Sequence, residues 1–163
     1  MCSSDLGAGL DAQQCLTEDA MQRGLACLRQ FADHLVGLPP GQVRAVATQT
    51  LREARNRNAF LLRAESALGQ PIEVISGREE ARLIYAGVSF LQPSEASRLV
   101  IDIGGRSTEM ILGRQRQPGA AESFPIGSVS LSMRYFPDGQ LNAEAFRAAQ
   151  IATGAEIEEA LAT

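Results

Sequence analysis

Leu99-Val100-Ile101-Asp102-Ile103-Gly104-Gly105-Arg106-Ser107-Thr108-Glu109-Met110-Ile111-Leu112 is the stretch on which the fold of this chain turns. Leu99 to Ile103 reads as a strongly apolar, buried strand, Thr108 to Leu112 as a second strand, and Gly104 to Ser107 as the turn between them. If that turn is a hairpin loop, Ile103 pairs with Thr108 and Asp102 lies directly opposite Glu109. Opposed residues of an antiparallel pair have Cβ atoms about 4.5–5.5 Å apart, and like charges there repel. A divalent cation relieves that repulsion, and Mg2+ prefers an all-oxygen site of one or two carboxylates completed by substrate phosphates. The adjacent glycines let backbone approach an anion closely and turn several N–H groups toward it, and the hydroxyls of Ser107 and Thr108 add donors. The plain alternative is a glycine-rich hairpin whose acids face water. Against it, the aspartate stands near the end of a very apolar strand, where α/β folds place ligand sites, and the glutamate falls at the paired position.

Working backward, Gln92-Pro93-Ser94-Glu95-Ala96-Ser97 is polar and reads as a linker, and the pattern before it alternates helix and strand. Thr17 is a good N-cap followed by Glu18 and Asp19, and Met21, Leu25, Leu28, Ala32 and Leu35 recur on one helical face. Gly24 interrupts that face at a cost of about 1 kcal/mol relative to Ala, and Gly37 ends it before Pro39-Pro40. Val43 to Ala47 predicts a short buried strand, Asn58 to Leu68 a helix closed by Gly69, and Ile72 to Ile75 another strand. Ser76-Gly77 then turns into a helix from about Arg78 to Phe90. Forward of the hairpin, Ala121 to Phe124 predicts a third strand and Ser128 to Tyr135 a helix. A last helix is capped by Asn142, with Leu141 and Phe146 spaced for a hydrophobic staple.

Composition removes several kinds of chemistry. All 15 basic residues are Arg, so a Walker A loop and a Schiff-base lysine are both excluded. Phosphate chemistry is left to Arg, backbone and metal. The net charge of −4, with arginines spread thinly apart from Arg52, Arg55 and Arg57, gives no basic stripe for nucleic acid. Cys2, Cys15 and Cys27 have no zinc-ligand spacing; Cys27 reads as a small buried hydrophobe, and the lone His34 as structural. No apolar run reaches the roughly 20 residues of a membrane span and no signal peptide opens the chain, so the expected compartment is the cytoplasm.

Two more segments bear on chemistry. Glu79 and Glu80 stand in a first helical turn, where the macrodipole stabilises acids for structural reasons alone. Near a bound phosphate, such a carboxylate can accept a proton from attacking water. Arg52, just after a strand, either clamps a phosphate oxygen or is a solvated arginine at a helix start.

Three blocks together, Ala47 to Arg52, Pro71 to Ile84 and Leu99 to Glu109, resemble the successive signature blocks of the exopolyphosphatase / guanosine pentaphosphate phosphohydrolase family. That family belongs to the actin-like, ribonuclease H-like ATPase superfamily. The resemblance runs from about Leu6 to the end. It implies an α/β chain made of two ribonuclease H-like lobes: a non-family leader at 1–5, the remainder of a first lobe at 6–92, a linker at 93–98 and the start of a second lobe at 99–163. The first lobe would be truncated at its N-terminus, because nothing before Asp102 matches the family's opening phosphate loop, and the second at its C-terminus.

The implied activity is Mg2+-dependent removal of terminal phosphate from inorganic polyphosphate, or from guanosine pentaphosphate, by an intact homodimer. By motif position, Asp102 and Glu109 would hold the metal, Gly104, Gly105 and Ser107 would cradle phosphate, Glu80 would orient or deprotonate water, and Arg52 would face phosphate. Arg106 replaces a small residue of the family, so the turn should avoid positive φ there. The rival of another class is a non-catalytic module that binds phosphate chains or a partner.

Overall fold

A computed structural model describes residues 6–161, and the expected leader at 1–5 lies outside them. The described chain is α/β and divides into two compact units, with the division between Ile75 and Ser76.

In the first unit, α1 (Glu18–Leu35) starts at Thr17, whose Oγ1 accepts the Ala20 N–H at 3.3 Å. β1 (Ala45–Ala47) leads into a short α2 (Gln49–Glu53) and then α3 (Arg57–Leu68), which ends on Gly69 in the left-handed conformation at φ 71°. β2 (Ile72–Val74) returns parallel to β1, with Val46 opposite Glu73. Leu16, Met21, Leu25, Leu51, Ala54, Phe60 and Ala64 form the core between α1, α2 and α3. Gly24 sits where these helices cross: a Cβ there would stand 3.1 Å from both the Phe60 ring and the Leu6 side chain. The glycine that weakens α1 locally thus lets Phe60 pack against it. Asn56 ties the segment before α1 to the start of α3, its side-chain amide accepting the Leu16 N–H at 2.8 Å and donating to the Leu16 carbonyl at 2.9 Å.

The second unit opens with α4 (Gly77–Leu91), N-capped by the Ser76 hydroxyl, which accepts the Glu79 N–H. β3 (Ser97–Ile103), β4 (Thr108–Arg114) and β5 (Gln117–Phe124) form an antiparallel meander in the order β3-β4-β5. α5 (Ser128–Tyr135) and α6 (Ala143–Leu161) follow. Ala81, Tyr85 and Ile111 make the core, with Ile84, Val100 and Ala121 packed around them. Strand residues two apart share a face, so one side of the sheet carries Val100, Ile111 and Ala121 under α4.

The stretch between α4 and β3 is irregular, and α4 packs on β4 and β5, so the helix groups with the meander in the second compact unit. Two expectations change here. β3 is not a buried strand. An antiparallel sheet needs only one covered face, and Leu99, Ile101 and Ile103 on the other are 57%, 51% and 71% exposed. Asn142 does cap α6, accepting the Ala145 N–H at 2.8 Å, but Leu141 remains 84% exposed, too little burial for a staple with Phe146.

Candidate functional site

The turn at the end of β3 is held from three sides. Within it, Ile103 pairs with Thr108 and the Gly104 N–H donates to the Ser107 carbonyl at 2.9 Å, which closes a four-residue loop. Among the described residues the only non-glycine positions with positive φ are Gln14 and Gln115, so Arg106 is accommodated without left-handed backbone. The third support is the corner before α5, where the Thr108 hydroxyl donates to the Ile126 carbonyl at 2.6 Å.

Register then places the acids. Asp102 is paired with Glu109, and Glu109 with Ser123 on β5. All three lie on the sheet face that α4 covers. Glu109 is only 1% exposed, and its Oε1 accepts the Ser123 hydroxyl at 2.7 Å, whereas Asp102 is exposed. A carboxylate that deeply buried is costly unless hydrogen-bonded or paired with positive charge, and Ser123 supplies one such bond. Every buried side-chain polar atom among the described residues has a partner.

The first turn of α4 starts at the same end of the same face. Ala81 packs on Ile111, and four residues later the Tyr85 ring lies against Gly113, where a Cβ would stand 2.4 Å from the ring. α4 therefore runs from the Glu109 end of β4 toward its far end, and its first turn, with Glu79 and Glu80, lies at the Glu109 end. Arg78 fixes that start by donating to the Glu122 carboxylate at 3.1 Å.

The donor set suits a hard divalent cation. Two carboxylates are opposed on a strand pair, one buried and oriented by a hydroxyl, one open to solvent. No group of three His, Cys, Asp or Glu side chains able to hold a metal occurs among the described residues. Two protein carboxylates with remaining positions left to water and phosphate is the manner in which Mg2+ is commonly bound.

Residues 3–163 match the family model described as the Ppx/GppA phosphatase family. The chain belongs to that family. Among solved structures, an exopolyphosphatase-like protein is 30% identical, with 98% of this chain and 51% of that one covered at a TM-score of 0.87. An exopolyphosphatase from Cytophaga hutchinsonii is 32% identical over 79% of this chain and 42% of its own, with a TM-score of 0.70. The PPX-GPPA enzyme of Aquifex aeolicus is 27% identical over 96% and 52%, also at 0.70. The chain thus spans about half the length of these relatives.

In this Ppx/GppA chain Arg52 has a local role that the sequence did not show. It lies on α2 in the first unit, where Nη1 donates to the Ile75 carbonyl at 2.9 Å and Nε and Nη2 to the Gln49 Oε1 at 3.0 and 2.6 Å. These bonds tie α2 to the end of β2, so Arg52 is not a freely solvated side chain. Ser123, which donates to Glu109, is the candidate-site residue that sequence reading missed. Finding it required the register of β5, which depends on a tight hairpin at Gln115-Arg116. Gln115 adopts φ 54° there without the glycine or asparagine that ordinarily advertises such a turn.

Proposed function

We propose that this chain carries the metal and phosphate site of an exopolyphosphatase, which hydrolyses terminal phosphate from inorganic polyphosphate with Mg2+. The observation that supports this most is the pairing of Asp102 with Glu109 across a turn of two glycines, at the end of the sheet face where the first turn of α4 starts. The relatives described as exopolyphosphatases point the same way. The ribonuclease H-like assignment of the two lobes and the homodimer belong to this reading as well.

In this mechanism Asp102 and Glu109 would hold Mg2+. The bound ion would neutralise charge on the phosphoryl oxygens. Gly104 and Gly105 offer backbone close enough to receive a phosphate, and the Ser107 hydroxyl adds a donor. Glu80 takes the proton of the attacking water as its oxygen bonds to the terminal phosphorus. The phosphoanhydride bond breaks, one orthophosphate leaves, and the shortened chain departs with the bond electrons on its new terminal oxygen.

The test is phosphate release by this chain from polyphosphate and from guanosine pentaphosphate, with and without Mg2+. Faster, Mg2+-dependent release from polyphosphate is expected. Preference for the pentaphosphate would move the assignment to the other substrate, and binding of either without release would favour the non-catalytic module. Glu80→Gln should abolish turnover, a drop of about 10²-fold or more, while phosphate-chain binding is kept. Loss of binding instead would remove Glu80 from the general-base role.

A further inference from the structure

The first amides of α5 are already occupied by the glycine turn. Ser128 N–H donates to the Gly104 carbonyl at 2.9 Å, and the N–H groups of Val129 and Ser130 both donate to the Gly105 carbonyl, at 2.8 and 3.1 Å. The Ser128 hydroxyl adds a second bond to the Gly104 oxygen at 3.2 Å. A helix N-terminus leaves four N–H groups without intrahelical partners, and here the turn's carbonyls satisfy three of them.

Gly127 makes that approach possible. A Cβ at this position would stand 2.3 Å from both the carbonyl carbon of Gly105 and the nitrogen of Arg106, and 2.4 Å from the Gly105 oxygen. These are backbone atoms on both sides, with no flexible side-chain end to move aside. Its own N–H is held by the Ser130 hydroxyl at 3.1 Å, which keeps the corner rigid.

The consequence follows from peptide geometry. In a planar trans peptide the C=O and N–H point in opposite directions. With the Gly104 and Gly105 carbonyls drawn toward α5, the N–H groups of Gly105 and Arg106 are aimed away from it. Two successive N–H groups directed to one side form the kind of concavity that binds anions.

We propose that the β5–α5 corner is a clamp that sets the orientation of the phosphate-cradling peptides, with Gly127 as its positioning residue. Gly127 touches no phosphate and acts through the turn. The proposal rests on reading the turn as a phosphate cradle. It adds that the cradle's aim is imposed from α5 rather than by the hairpin alone.

The test is an NMR titration of the isotope-labelled chain with inorganic tripolyphosphate in Mg2+ buffer. In the unsubstituted chain the Gly105 amide should shift saturably. Gly127→Ala should weaken binding about tenfold or more, the effect of misaiming one N–H that meets a charged oxygen, and erase the Gly105 shift. Tyr85 and Ile111 signals in the core of the unit should stay in place, which a general loss of structure would not allow.

Ser128→Pro is the second variant. Proline suits a first helical position that follows an extended residue, and Gly127 is extended at φ −144°, ψ 162°. The substitution therefore keeps α5 while replacing both donors to the Gly104 oxygen with ring carbons. It should give the same loss of affinity and shift. A folded variant of either kind that binds as tightly as the unsubstituted chain, with the Gly105 shift intact, overturns the clamp. An unsubstituted chain that never binds tripolyphosphate overturns the cradle reading and the clamp with it, and is recognisable because no substitution is involved.

Discussion

Replacing Ser123 with alanine isolates the support that the fold gives to the buried acid of the site. Glu109 is 1% exposed and its Oε1 accepts a 2.7 Å hydrogen bond from the Ser123 hydroxyl. Alanine removes the donor and leaves a desolvated carboxylate oxygen facing a methyl group. A hydrogen bond to a charged group contributes about 1.5–3 kcal/mol, and a chain of this length loses roughly 2–4 °C of melting temperature per kcal/mol. The expected fall in Tm is therefore about 3 to 12 °C, read by circular dichroism. Mg2+ should raise the Tm of the unsubstituted chain by mass action, and raise that of Ser123→Ala less, because the misoriented carboxylate binds more weakly. Ser123→Thr, which keeps the hydroxyl, should lie close to the unsubstituted chain in both respects. An alanine variant with unchanged Tm and an unchanged response to Mg2+ would refute the claim that Ser123 orients Glu109.

Two further predictions concern each unit by itself. Gly113→Ala places a methyl group 2.4 Å from the Tyr85 ring and 2.6 Å from the Gln117 carbonyl, so overpacking should cost about 1–3 kcal/mol in urea unfolding; a neutral result would mean that both the ring and the strand backbone give way. In the first unit, Arg63 holds the Glu18 carboxyl at 2.8 Å and, with help from Gln22, lowers its pKa from 4.5 to about 2. A depressed carboxylate pKa adds stability that is present above 4.5 and lost as pH falls toward 2. The stability gap between the unsubstituted chain and Glu18→Gln should close across that window, and close partly in high salt, since the pair is exposed. A gap that is constant with pH would assign the contact no electrostatic part.

Much of the fold was legible because local signals agreed with one another. Thr17, Gly69 and Asn142 mark helix ends by side-chain or backbone chemistry that works within a few residues, and the structure uses each as expected. The opposition of Asp102 and Glu109 was also legible, because a four-residue turn fixes hairpin register. What was not legible depends on contacts distant in sequence. The exposure of Leu99, Ile101 and Ile103 cannot be read from an apolar run, since periodicity shows that a residue is suited to burial and not that something covers it. α4 grouped with the meander for a similar reason: its apolar face does not announce which sheet it will meet. Gly127 looks like an ordinary glycine before a helix until the turn it lies against is placed beside it.

The central claim, that the acid pair and the glycine turn form one metal-dependent phosphate site, is tested most directly by calorimetric titration of this chain with inorganic tripolyphosphate, with and without Mg2+, alongside Asp102→Asn. Asp102 is exposed, so its replacement leaves the core of the unit intact. Binding that requires Mg2+ and falls about tenfold or more in Asp102→Asn is the predicted result. Equal binding without Mg2+, or binding indifferent to the substitution, would contradict it.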